Sequence, residues 1–93
     1  MKPALEDLFA SADRLLSQAL ERYEMPEKYR GKTRTDILPE QDGFRVFELQ
    51  VNDAGAIRPT VLCRVVMNVL DGSGRVEISN ILSARRQEVA AAV

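Results

Sequence analysis

The sequence has no histidine and a single cysteine, Cys63. Without histidine the chain lacks the side chain that titrates near neutral pH, the commonest metal ligand and the base of every Ser-His or Cys-His pair. One cysteine cannot form an internal disulfide, so nothing in the composition points to an oxidising compartment. No apolar run approaches the roughly 18 residues of a membrane-spanning helix, and the N-terminus lacks the cationic start and apolar core of a secretion signal. The expected location is cytoplasmic. No acidic spacing fits a carboxylate metal site, and Asp71-Gly72-Ser73-Gly74 is too short for a calcium loop. Gly31-Lys32-Thr33 matches the end of a phosphate-binding P-loop. However, Pro26 stands where its first glycine belongs, and no strand precedes it. No cofactor, metal or membrane is therefore expected, and the chain does not read as an enzyme.

What is present describes one ordinary globular domain. The 93 residues are 45% hydrophobic and 29% charged, too apolar for a disordered chain and too short for a second core. A fold of this size buries only roughly 60–65% of its unfolded surface, which makes association with a second copy a natural expectation. Net charge is −1, which argues against a dedicated nucleic-acid binder. The charge is uneven: residues 1–27 hold three bases against six acids, and residues 28–93 hold ten bases against eight acids. Ten of the 13 bases are arginine, the side chain suited to bidentate contacts with carboxylates and phosphates.

Leu5, Leu8, Phe9, Ala12, Leu15, Leu16, Ala19, Leu20 and Tyr23 recur at spacings of three and four, which predicts one amphipathic helix. Pro3 suits its first turn and Pro26 stops it, giving a span of 3–24. Lys28, Arg30, Lys32 and Arg34 fall at every second position, so in extended geometry they share one face. That pattern reads either as an anion-binding ladder or as a charged edge that resists unwanted pairing. Strands are expected at about 33–38, 44–51, 58–70 and 75–82, joined by turns at Asp42-Gly43, 52–56 and 71–74. Closing the last hairpin over 71–74 places Val69 opposite Val76, Met67 opposite Ile78 and Cys63 opposite Leu82, all on one face. Val51, Leu49 and Phe47 join that face, which the helix should cover. Cys63 is then a small core residue rather than a nucleophile. Ser83 can cap a short closing helix over 84–92.

The opposite face should carry Phe44, Val46, Leu62, Val66, Leu70 and Ile81 among Arg58, Arg64, Asn68, Glu77 and Ser79. That is too apolar for a face open to water, so something is expected to cover it: either the Ala-rich C-terminal segment, whose only larger apolar groups are Val89 and Val93, or a second protein or second copy of the chain. Glu48 and Glu77 also fall there, and charge pairing with Arg58, Arg64 or Arg75 accounts for them.

The fold class expected is α+β: a long N-terminal helix packed on a four-stranded antiparallel meander, with a short C-terminal helix. The order of elements resembles a double-stranded-RNA-binding domain, and Ser83-Ala84-Arg85-Arg86 echoes the basic cluster that opens that domain's last helix. The missing glycines before it, the fourth strand and the acidic first helix depart from that pattern. As an arrangement, the helix on its sheet looks like the cystatin-like group, a likeness of architecture that carries no function. The function expected is a non-catalytic protein-interaction module, a small regulator, adaptor or inhibitor of the kind that phages and mobile elements often encode. Phe44, Val46, Leu62 and Val66 would supply buried contact, with Arg58 and Arg64 giving selectivity. The alternative is a nucleic-acid-binding accessory protein using Lys28, Arg30, Lys32 and Arg34. A small-ligand carrier is the remaining reading, and it lacks convergent polar groups in its core.

Overall fold

The apolar stripe of the N-terminal segment folds as α1, Leu5–Leu20, and buries Leu8, Ala12 and Leu16. The protein is described by a computed structural model over residues 3–53, 55 and 57–84. Glu6 and Asp7 lie in the first helical turn, where unpaired backbone N–H groups favour negative charge. The helix ends earlier than its periodicity suggests. Glu21 is its C-cap, and Tyr23–Glu24 form a two-residue strand, β1. Tyr23 is partly buried, as the stripe requires, but from an extended backbone.

After Pro26 the chain makes a 3₁₀ turn at Glu27–Tyr29. Tyr29 is buried in it, and its hydroxyl donates to Asp53 Oδ2 at 2.7 Å. Gly31, at φ 73°, then redirects the chain into β2, Thr33–Ile37. No helix follows the Gly31-Lys32-Thr33 run, so the phosphate cradle of a P-loop has no counterpart here.

Four antiparallel strands form the main sheet in the order β2-β3-β4-β5, with β3 at Phe44–Val51, β4 at Thr60–Asn68 and β5 at Gly74–Ile78. Asp42 and Gly43, with φ of 53° and 82°, make the tight turn between β2 and β3. Gln41 and Phe44 exchange both backbone hydrogen bonds across it. Positive φ at both central residues is the demand of a type I′ turn, which Asp-Gly meets at little steric cost.

The last hairpin turns two residues earlier than the sequence register places it. Met67 pairs with Gly74 and Cys63 with Ile78, so the loop is 69–72. Asn68 is the cause: its Oδ1 accepts from the Leu70 and Asp71 N–H groups and ends the strand. Because each residue of β4 meets a partner four positions earlier than expected, an even number, Val65, Met67, Val76 and Ile78 keep the face expected of them. Leu82 leaves the ladder but remains buried. A second, two-stranded sheet pairs β1 with β6, Ser83–Ala84. Ser83 is thus in a strand and not at a helix cap; the helix expected over 84–92 otherwise lies outside the described residues.

α1 packs on β4 and β5. Phe47, Leu49, Val51, Cys63, Val65 and Met67 fill the core between helix and sheet, each at most 7% exposed. The Phe9 and Phe47 rings meet edge to face with centroids 5.9 Å apart, tying the helix to β3. A bulge interrupts the β3–β4 ladder: Leu49 pairs with Cys63 and Gln50 with Val61, which leaves Leu62 unpaired. Leu62 is 0% exposed and belongs to the same core cluster.

Candidate functional site

The side of the sheet away from α1 is built by alternation from the residues between the core positions. Val46 lies directly opposite Val66, and Phe44 opposite Asn68 on the adjacent row. Phe44 is 39% exposed and the two valines are partly exposed, so this block is an apolar surface with no described element over it. A shallow depression of about 170 Å³ lies beside it, lined by Phe44, Val66, Asn68, Ser73, Gly74 and Arg75.

The next row is charged from edge to edge. Asp36 pairs with Glu48, Glu48 with Arg64 and Arg64 with Glu77. Arg64 Nη2 reaches Glu48 Oε2 at 3.1 Å, and its Nε lies 4.0 Å from Glu77 Oε1. Arg75 Nη2 approaches the other Glu77 oxygen at 3.2 Å. Glu48 is 8% exposed although nothing described covers this face. Gln50, itself 6% exposed, shields it by donating from Nε2 to Glu48 Oε1 at 2.9 Å and to Asp36 Oδ2 at 3.4 Å. A buried carboxylate would ordinarily be costly; here a guanidinium and an amide replace its water.

Phe44, Val46, Arg64 and Val66, four of the expected partner-binding residues, therefore come together on one face. Two do not. Leu62 points to no surface because the bulge at Leu49 and Gln50 leaves it unpaired and wholly buried. Arg58 is exposed in the loop before β4, outside the ladder. Leu70 and Ile81 lie in turns and are 68% and 37% exposed. Gln50 was not singled out in the sequence, although its alternation with Phe44, Val46 and Glu48 puts it on this face.

The basic segment does not form a one-face ladder. Lys28 lies in the 3₁₀ turn, with its Nζ 4.9 Å from the centroid of the Tyr29 ring, and Gly31 turns the chain between Arg30 and Lys32. Only Arg34 is in a strand. All four side chains are exposed, and none has a carboxylate partner among the described residues.

Burial pushes the Cys63 thiol up to about 11, which keeps it protonated and unreactive near neutral pH. Hydrogen bonds from the Ser73 N–H and hydroxyl hold the Asp71 carboxyl below its usual range. Among the described residues no group of three or more His, Cys, Asp or Glu could hold a metal ion, and no helix is long and apolar enough to cross a membrane. Comparison with known protein families, curated proteins and solved structures returns no match.

Proposed function

We propose that this chain is a non-catalytic protein-interaction module, a small regulator, adaptor or inhibitor, that binds a partner protein through the sheet face opposite α1. The supporting observation is the cross-strand block of Phe44, Val46 and Val66, left partly exposed beside a row of charges that already pair with one another. An apolar centre with a satisfied polar margin has the anatomy of a protein contact surface. Arg64 is held by Glu48 and Glu77, so it sets the position of the contact more than its net charge. A second copy of the chain is one occupant that this surface can accept.

Val66→Asp places a carboxylate in the centre of the block while leaving the helix-side core untouched. It should abolish association, read by light scattering at two concentrations and by pull-down, while the circular-dichroism spectrum stays that of the folded protein. Unchanged association would rule out this face.

A nucleic-acid accessory role through Lys28, Arg30, Lys32 and Arg34 has one observation in its favour: the four cations are exposed and, among the described residues, have no carboxylate partner. It requires retention on a phosphate matrix that weakens steeply with salt.

A further inference from the structure

The main sheet has two outer strands, and they are finished differently. β2 alternates Thr33, Arg34, Thr35 and Asp36 before its terminal Ile37, a largely polar and charged run of the kind that protects an edge against pairing. β5 borders a groove of about 300 Å³ that runs along the flank of α1. Val76 and Ile78 form one side of it, Leu15 and Ala19 of the helix the other, and Gln18, Arg22 and Tyr23 of β1 complete the lining.

The backbone of β5 offers hydrogen bonds to the same groove. Asn68 N donates to Ser73 O and Ser79 N donates to Leu62 O, which fixes the alternation of the β4–β5 ladder. Counting from these pairs, Arg75 and Glu77 turn their N–H and C=O groups toward β4. Gly74, Val76 and Ile78 therefore turn theirs outward. Among the described residues nothing takes up those outward groups. The same two residues, Val76 and Ile78, thus present unpaired backbone at the edge and apolar side chains in the groove.

Charge narrows the occupant. Arg22 is exposed, lines the groove and has no ion-pair partner among the described residues. Gly74 is also fitted to this margin: a Cβ there would strike Met67 Sδ and approach Leu15 Cδ1 to 3.1 Å, so helix and strand close tightly at one end of β5.

We infer that the free edge of β5 accepts an extended peptide segment of a partner as an added strand, with apolar side chains seated against Leu15, Ala19, Val76 and Ile78 and a carboxylate meeting Arg22. Main-chain pairing supplies affinity and the groove supplies selection, as in other cases of strand addition. This surface lies on the helix side of the sheet, so it stands or falls independently of the proposed interface on the other face.

The test uses the full chain, uniformly ¹⁵N-labelled, and a short capped peptide alternating threonine and valine, with one glutamate among the valine positions. A matched peptide carries lysine in place of the glutamate. Adding the glutamate peptide should slow hydrogen exchange of the Val76 and Ile78 amides, and it should bind roughly tenfold more tightly than the lysine peptide. Arg22→Glu, an exposed change that leaves the core intact, should reverse that order. Equal binding of the two peptides, or no protection of these amides, overturns the inference. So does protection already present without peptide. If it is independent of concentration, a segment of the chain itself occupies the edge; if it rises with concentration, a second copy does.

Discussion

Phe44 and Phe47 stand three residues apart on β3 and point to opposite sides of the sheet. Phe47 is 0% exposed, roofed by the helix and touching Phe9; Phe44 is 39% exposed, with no described element over it. The contrast extends to whole faces. On the helix side, burial comes from a second layer of apolar side chains. On the far side the most buried residues are Glu48 and Gln50, which are polar and are shielded by one another, Arg64 and Asp36. One face is closed by packing and the other by hydrogen bonding, and the apolar block beside that network stays partly exposed.

Breaking each face in turn should therefore give effects of different size. Phe47→Ala should have the largest, a loss of about 3–5 kcal/mol in urea unfolding, because it removes a ring and leaves a cavity under the helix. Glu48→Ala comes next, at about 1–3 kcal/mol, since it strips an acceptor from the Gln50 amide and the counter-charge from Arg64. Glu48→Gln should recover part of that loss, and a full loss in both variants would mean that the charge, not the hydrogen bond, matters.

Cys63 sharpens the comparison by pH. Burial raises its folded-state value from an ordinary 9.0 to about 11, so between these limits the folded chain binds more protons than the unfolded one. Stability should accordingly fall as pH rises from 9 to 11, by at most ~1.4 kcal/mol per pH unit, and the Cys63→Ala variant should lack this component of the slope. The smallest effect is expected for Phe44→Ala, under about 1 kcal/mol in the unassociated protein, because the ring is already partly in water. If it matched Phe47→Ala, the far face would be covered in solution.

The two faces were also unequally legible from sequence. Alternation alone assigns Phe47, Leu49, Val51, Cys63, Val65 and Met67 to one side, and that assignment survives a hairpin turn misplaced by two residues because the slip is even. Leu62 was misassigned for the complementary reason. A bulge adds one residue, an odd number, and nothing in Thr60-Val61-Leu62-Cys63 marks where the ladder gives way. The helix end failed on a similar point: Tyr23 fits the helical stripe, but its partner Ala84 lies far along the chain, and pairing of that kind leaves no local signal. The basic run from Lys28 to Arg34 reads as extended only if Gly31 and the 3₁₀ turn are ignored. Of the candidate site, Glu48, Arg64, Glu77 and three apolar members were readable; the part of Asp36 and the shielding of Glu48 by Gln50 depend on strand pairing and side-chain geometry that periodicity does not encode.

The placement of α1 has a consequence for synthesis. The helix is made first, yet the strands it packs on, β4 and β5, end only at Asn68 and Ile78. At about 5–20 residues per second, its apolar stripe is finished several seconds before its sheet exists. During that interval Leu8, Ala12 and Leu16 have no native partner on β4 or β5.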